Sequence, residues 1–166
     1  MPRVSFCIPT HDGNARCQNY LFDIFHALSQ QTNKDFNVWV SDHSESDKII
    51  NACTEYADLF EIMYVPNDKK KGNISANTNN ALQNADGEIL KVLFSDDFIL
   101  TNSLVEELNK AFTDDVKWAV TGYAHTVDDG GTHYNPKVPY YNDKLLEGVN
   151  TLSSPSILAL KRGIDM

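Results

Sequence analysis

Ser95-Asp96-Asp97 is the segment whose residue types most directly indicate chemistry. The two carboxylates end an apolar run, residues 89–94, and Phe98-Ile99-Leu100 follows them at once. Adjacent acids between buried segments are costly unless they bind a cation or face a wet cleft. Aspartate oxygens suit Mg²⁺ or Mn²⁺, which are usually held by one or two carboxylates together with substrate phosphates. Exposed turn acids are the alternative interpretation, because aspartate is common in turns.

The geometry of a strand limits what the two acids can do together. Side chains alternate along a strand, so Asp96 and Asp97 cannot both point at one atom if the strand continues through them. In that case we expect one carboxylate to hold the metal. The other would bind a hydroxyl or reach the metal through water.

Strands and helices alternate along the chain that must position these acids. Strands are predicted at 4–8, 36–40, 61–65, 88–94, 118–123 and 156–161. Helices are predicted at about 16–30, 44–59, 75–84 and 103–112. This alternation predicts an α/β fold with a mostly parallel central sheet flanked by helices.

Local patterns support several of these elements. In the first helix, Leu21, Ile24, Phe25 and Leu28 fall on one apolar face. The second and fourth helices begin with serines followed three residues later by an acid, which resembles a capping box; the pairs are Ser44 with Asp47 and Ser103 with Glu106. Asp128-Asp129-Gly130-Gly131 predicts the turn of a small β-hairpin near 120–135.

Three of the predicted strands end in polar residues. The first ends in Pro9-Thr10, the second in Asp42 and the fourth in Asp96-Asp97. Ligands of open α/β sheets bind outside the carboxyl ends of the strands. We therefore expect a cleft with hydrogen-bonding groups at one side and a metal-binding carboxylate at the other.

Polar residues near these strand ends each allow two interpretations. Asn77, with Asn79-Asn80, lies near a predicted helix start, where asparagine is often an exposed N-cap, and the alternative is a hydrogen bond to ligand. The Lys69-Lys71 run favours a solvated loop over a mobile clamp on a diphosphate. His11 and His43 each follow a strand end and are interpreted as exposed loop histidines.

Composition restricts the class of protein. The chain has 166 residues, enough for one domain, and its formal net charge of −9 disfavours nucleic-acid binding. No apolar stretch is long enough to span a membrane, and no signal peptide is visible. Cys7, Cys17 and Cys53 have no CxxC spacing, which argues against a disulfide framework or a zinc site. We expect a cytoplasmic protein, with peripheral membrane attachment as the alternative.

Several motifs, taken in order, resemble family 2 glycosyltransferases of the GT-A fold, which are nucleotide-diphospho-sugar transferases. The matching segments are Val4–Thr10, Gln31-Thr32 with Val40–Asp47, Ser75–Leu82 continuing through Ala85–Ile89 to Ser95–Asp97, and Ser153–Ser156 with Lys161-Arg162. Each motif has low specificity, whereas the ordered set covers nearly the whole chain. The Ser95–Asp97 segment is similar to the DXD-type motif of the family.

The resemblance implies roles for individual residues. Pro9 and Thr10 would line the nucleotide-base pocket, and Asp42 would accept a hydrogen bond from the base, commonly uracil. Asn77 is grouped with these donor-binding residues. Asp96 would lie near the ribose and the metal, and Asp97 would ligate Mn²⁺ or Mg²⁺ bridging the diphosphate.

The activity implied is metal-dependent, inverting transfer of a sugar from a nucleoside-diphosphate donor, with UDP expected, to an acceptor glycan or other hydroxyl compound. The general base is not identified, because the family's acidic motif lies beyond the segment matched by Ser153-Arg162 and Asp165 is too close to that segment. We therefore expect a single domain truncated before the acceptor and base segment.

Two other interpretations remain. One is a nucleotide-sugar-binding module that lacks its own base and is inactive or needs a partner chain. The other is a signalling receiver domain, which would need an acidic pair after the first strand, where Pro9-Thr10-His11-Asp12 supplies one acid.

Overall fold

The computed structural model describes residues 3–13, 16–69, 71–125, 136–139, 143, 147 and 153–164. Its strands are β1 (Val4–Thr10), β2 (Phe36–Asp42), β3 (Ile62–Pro66), β4 (Ile89–Val92), β5 (Trp118–Val120) and β6 (Leu158–Lys161). Its helices are α1 (Cys17–Ser29), α2 (Lys48–Tyr56), α3 (Ile74–Asn84) and α4 (Leu104–Ala111). The strands form one sheet in the order β3-β2-β1-β4-β6-β5.

Strand β1 lies at the centre of the parallel part of the sheet. It pairs in parallel with β2 on one side and with β4 on the other, and all seven of its residues are buried. Strand β3 extends the parallel part, whereas β6 runs antiparallel to both β4 and β5. The prediction of an α/β fold with a mostly parallel sheet is confirmed.

Helices cover both faces of the sheet. The larger apolar cluster contains residues of α1, α2 and α4, and the smaller one contains Ala81 and Leu82 of α3. The predicted apolar face of α1 is confirmed, since Leu21, Ile24 and Phe25 are fully buried with Leu28. None of the helices in the described part of the chain combines the length and apolar character needed to cross a membrane.

A glycine fixes how closely the start of β4 approaches β1. The Gly87 amide donates a hydrogen bond of 2.8 Å to Ser5 Oγ. A Cβ on Gly87 would lie 2.7 Å from the Ser5 backbone nitrogen, which is closer than carbon and nitrogen can pack. Glycine at this position therefore allows the chain entering β4 to lie directly against β1.

Strand ends differ from the predictions in both directions. Strands β1 and β2 each continue two residues further, to Thr10 and Asp42. Strand β4 ends at Val92 because the Phe94 amide donates to Ser156 Oγ, at 2.7 Å, instead of to a neighbouring strand. An antiparallel bridge joins Tyr123 to Lys137, and the predicted hairpin turn at 128–131 lies outside the described residues.

Both predicted capping boxes are wrong. Helix α2 begins at Lys48, and Ser44 instead donates its hydroxyl proton to Asp42 Oδ1. The hydroxyl of Ser103 pairs with Thr101 Oγ1 at 2.9 Å and caps no backbone amide. In each case a nearby oxygen competes with the helix for the serine hydroxyl, which sequence spacing alone does not reveal.

Candidate functional site

The two acids of Ser95-Asp96-Asp97 lie on a turn beyond the end of β4, formed by residues 94–97 and called the acidic turn below. The Asp97 amide donates to the Phe94 carbonyl at 3.0 Å, which closes the turn. Asp96 is exposed and Asp97 is half-buried. Because the strand ends before the acids, the strand alternation that would separate their side chains does not apply to them.

A second segment packs against this turn. Ser154 Oγ donates to Asp97 Oδ2 at 2.8 Å, although the two residues lie 57 positions apart. Ser154 precedes a short 3₁₀ turn, Pro155–Ile157. The same segment accepts the Phe94 amide through Ser156 Oγ. The sequence pattern gives no local indication of the contact between Ser154 and Asp97, which only the fold creates.

Lys91 is a buried cation beneath the acidic turn. It is 2% exposed, and its Nζ donates to the carbonyls of Ser156 and Val92. Burial lowers the pKa of Lys91 to about 7, and the nearby Asp97 carboxylate opposes that shift. The sequence does carry a signal for this residue, since a lone lysine within an apolar strand is unusual, but the apolar run alone assigns it no role.

A cavity of about 700 Å³ borders the acidic turn. Asp96, Asp97, Lys91 and Ser154 contribute to its polar part. Its other walls are largely apolar and come from residues 98–101, helix α4 and strand β5. The acids therefore have access to a space large enough for a small molecule.

Thr10 and Asp42 are paired across the ends of β1 and β2. Both are buried, as is Pro9 beside them. The Thr10 carbonyl accepts the His43 amide at 3.1 Å and Asn77 Nδ2 at 2.9 Å. Its hydroxyl, Oγ1, has no hydrogen-bond partner among the described residues. A buried hydroxyl without a partner is unusual in a folded protein.

Neighbouring hydroxyls hold the Asp42 carboxylate. Its Oδ1 accepts the Ser44 amide at 2.8 Å and also the Ser44 hydroxyl. Its Oδ2 accepts the Tyr64 hydroxyl at 2.9 Å. Burial, together with the charge and hydrogen bond of Asp42, raises the pKa of Tyr64. The phenol therefore remains a proton donor to Asp42 at neutral pH.

Asn77 lies in the interior and is not an exposed cap. It is 3% exposed, and the residue that caps α3 is Asn73, whose Oδ1 accepts the Ala76 amide at 2.9 Å. The Asn77 amide donates to the carbonyls of Thr10 and Ser41, and its oxygen accepts Ser41 Oγ and Asn67 Nδ2. Protein groups thus fill its hydrogen-bonding capacity.

The remaining polar residues separate into two kinds. His11 is half-exposed and lies 3.8 Å from Asp12, as the exposed-loop interpretation expects. His43 is 2% exposed, so that interpretation is wrong for it; its amide bonds to the Thr10 carbonyl and holds it at the sheet edge. Lys71 is exposed and lies 3.3 Å from Glu45, in agreement with a solvated loop.

The sheet places these groups at one edge. Strand β1 bonds directly to both β2 and β4. The Thr10–Asp42 pair therefore lies at the carboxyl ends of β1 and β2, and the acidic turn follows the carboxyl end of the adjacent β4. The described part of the chain contains no group of three or more His, Cys, Asp or Glu that could hold a metal. Asp96 and Asp97 offer hard oxygen donors, which fits Mg²⁺ or Mn²⁺ shared with the phosphates of a ligand.

Sequence comparison identifies a relative that covers most of this chain. The GalNAc(5)-diNAcBac-PP-undecaprenol beta-1,3-glucosyltransferase of Campylobacter jejuni is 30% identical over 126 residues, which are 75% of this chain and 37% of the relative. The chain therefore spans little more than a third of the length of that protein.

Solved structures share the fold. TarS 1-349 of S. aureus in complex with UDP superposes with a TM-score of 0.57 at 22% identity, over 65% of this chain and 31% of TarS 1-349. The mannosyltransferase PcManGT from Pyrobaculum calidifontis, in complex with GDP-Man and Mn²⁺, gives a TM-score of 0.57 at 22% identity, over 70% of this chain and 34% of that one. The likeness confirms the GT-A fold that the motifs predicted.

A sequence profile extends the match to nearly the whole chain. The profile described as Glycosyl transferase family 2 covers residues 5–162, which include the Thr10–Asp42 pair, the acidic turn and the Ser154 segment. The chain belongs to glycosyl transferase family 2.

Proposed function

We propose that this chain is the donor-binding part of a metal-dependent, inverting glycosyltransferase, which moves a sugar from a nucleoside-diphosphate donor to an acceptor hydroxyl. UDP is the proposed nucleotide. The observation that carries the proposal is the common sheet edge shared by the Thr10–Asp42 pair and the acidic turn. Two proteins of the same fold have been solved with UDP or with GDP-Man and Mn²⁺, which supports a nucleotide-sugar donor for this chain.

Each end of the site has a proposed task. The buried Thr10 and the carboxylate of Asp42, with Pro9 beside them, take the base. Asn77 supports that end from below by holding the carbonyls of Thr10 and Ser41. Asp97 and Asp96 would hold Mn²⁺ or Mg²⁺ at the other end.

The chemistry needs charge to be stabilised on the departing diphosphate. When bound, the metal supplies Lewis-acid stabilisation of the diphosphate oxygens. The acceptor oxygen forms a bond to the anomeric carbon as the bond from that carbon to the diphosphate oxygen breaks. The acceptor's proton passes to a general base, which we assign to no residue of this chain.

A thermal shift experiment with a nucleotide panel tests donor binding. We expect UDP with Mn²⁺ to raise the unfolding midpoint by about 5–10 °C at a concentration of about 100 times the dissociation constant, because a ligand of the native state stabilises it by mass action. UDP without Mn²⁺ should give a much smaller shift. Comparing the shift with GDP and Mn²⁺ to the shift with UDP and Mn²⁺ measures the preference for uracil over guanine.

Two aspartate variants make the experiment specific. Asp97→Asn should lose most of the metal-dependent shift, because an amide is a poorer ligand for Mn²⁺ than a carboxylate. Asp58→Asn is the matched control, since Asp58 is exposed between α2 and β3, at the opposite edge of the sheet. No stabilisation by any nucleoside diphosphate with Mn²⁺ would refute the proposed function. Equal shifts in both variants would remove Asp97 from the site.

A further inference from the structure

Three hydrogen bonds join the segment around Ser154 to strand β4 and the acidic turn. Ser154 Oγ donates to Asp97 Oδ2 at 2.8 Å. The Phe94 amide donates to Ser156 Oγ at 2.7 Å, and Lys91 Nζ donates to the Ser156 carbonyl. A bond from strand β4 and a bond from the chain just beyond it thus anchor the segment that carries the Ser154 hydroxyl.

The Ser154 hydroxyl has one proton, and its surroundings direct that proton to Asp97. As an acceptor, Ser154 Oγ takes the Ser156 amide at 3.2 Å. This leaves its single O–H for donation, and Asp97 receives it. Pro155 follows directly and has a fixed φ, which limits the freedom of the backbone beside the hydroxyl.

The contact makes the two oxygens of Asp97 unequal. Oδ2 is engaged by Ser154, and no described residue donates a hydrogen bond to Oδ1. A hydrogen bond to one oxygen restricts rotation of the carboxylate, as partners behind metal ligands commonly do. The oxygen that is left, Oδ1, belongs to a half-buried side chain that borders the cavity.

We propose that Ser154 is a positioning residue, which orients the Asp97 carboxylate so that Oδ1 is available to the divalent cation. The anchored Ser156 and the buried Lys91 keep Ser154 in place. This inference rests on the proposed function, because it assumes that Asp97 is a metal ligand.

The test measures the Mn²⁺ requirement of UDP binding by calorimetry, without any turnover. UDP is titrated into the folded chain at a series of Mn²⁺ concentrations. The Mn²⁺ requirement is the Mn²⁺ concentration at which the association constant for UDP reaches half of its value at saturating Mn²⁺, and it is compared between variants. Ser154→Ala should raise that concentration about tenfold, as expected for the loss of a partner behind a ligand. Ser154→Thr keeps the hydroxyl and should restore it to within about twofold of the wild type.

Two other serines separate positioning from simple support of the turn. Ser156→Ala removes the acceptor of the Phe94 amide but keeps the Ser156 carbonyl that accepts Lys91 and the Ser156 amide that donates to Ser154. It should therefore lower the unfolding midpoint and raise the Mn²⁺ requirement clearly less than Ser154→Ala does. Ser103→Ala removes a hydroxyl whose one partner among the described residues is Thr101, and it should change neither quantity.

The outcomes distinguish this inference from the function on which it rests. If the wild type needs Mn²⁺ to bind UDP and Ser154→Ala needs the same Mn²⁺ concentration, the positioning role of Ser154 is overturned. The proposed function is unaffected by that outcome. The inference also fails if Ser156→Ala raises the requirement as much as Ser154→Ala and Ser154→Thr restores nothing. UDP binding by the wild type that ignores Mn²⁺ would remove the metal site itself, and the role of Ser154 with it.

Discussion

Lys91 is the only lysine among the buried residues of the described chain, and it lies where the sheet meets the acidic turn. Its ammonium group gains two carbonyl acceptors and the attraction of Asp97. Burial outweighs these gains and lowers the pKa of Lys91 from 10.5 to about 7. The residue thus places a titrating charge close to the site at neutral pH.

The pKa shift of Lys91 predicts a pH dependence of stability. Between about pH 7 and 10.5 the unfolded chain carries a proton on this amine that the folded chain has lost. Unfolding therefore takes up a proton, and the free energy of unfolding rises with pH by up to about 1.4 kcal/mol per pH unit. Urea denaturation at pH 6 to 10 should show this rise in the wild type.

The comparison with Lys91→Met isolates the lysine from other titrating groups. Methionine has a similar length and no charge. The free energy of unfolding of the wild type should therefore rise relative to that of Lys91→Met as the pH rises. A difference that stays constant from pH 6 to 10 would show that Lys91 does not titrate in this range.

At the scale of the elements, helix α3 carries a polar side chain into the sheet. Asn77 makes four hydrogen bonds to groups of the sheet and of the loop after β3, and it is held away from solvent. Asn79 lies two residues further along the same helix and is exposed. The two asparagines therefore provide a matched pair on one helix.

We predict that Asn77→Ala lowers the free energy of unfolding by about 2–3 kcal/mol, because buried groups lose their partners. The carbonyl of Ser41 and the amide of Asn67 are among the groups affected. Asn79→Ala should be neutral or slightly stabilising, since alanine is the better helix former. Urea denaturation measures both, and equal effects of the two changes would contradict the interior role of Asn77.

The elements were predictable where the signal is local. The apolar spacing of Leu21, Ile24, Phe25 and Leu28 in α1 is a property of one helix and its 3.6-residue period. The capping boxes at Ser44 and Ser103 were not predictable in the same way, because oxygens outside the helix took both hydroxyls. The antiparallel direction of β6 was not predictable either. It depends on how the preceding chain connects to the strand and not on the apolar residues of the strand itself.

For the whole molecule, the parallel order of β2, β1 and β4 gathers residues from three distant segments. The sequence predicted which residues follow the strand ends, because a polar residue after an apolar run marks such an end. It did not predict that Ser154 reaches Asp97 or that Tyr64 reaches Asp42. Those contacts depend on how whole elements pack, so they become visible only with the fold.

The net charge of the molecule bears on how it meets an anionic donor. The chain has 14 basic and 23 acidic residues, which gives a formal net charge of −9. Lys71 is paired with Glu45 and Asp68, so this lysine offers little uncompensated positive charge near the sheet edge. A nucleoside diphosphate without a metal and this protein are therefore both negatively charged, and they repel each other.

This repulsion predicts an unusual salt dependence. Raising the ionic strength from about 0.01 M to 0.1 M shortens the screening length from about 30 Å to about 10 Å. UDP without metal should then bind several-fold more tightly at the higher salt, because the repulsion between like charges is screened. With Mn²⁺ the bound ligand carries less negative charge, so we expect a smaller change. Calorimetric titration in KCl measures both cases.

Uridine is the control ligand, since it has the same base and ribose without the diphosphate. Its affinity should not vary with KCl, because it carries no charge for the salt to screen. If metal-free UDP instead bound more weakly as the salt rose, local positive charge at the sheet edge would outweigh the net charge of the chain. The buried ammonium of Lys91 would then be the first group to replace, as Lys91→Met, in the same titration.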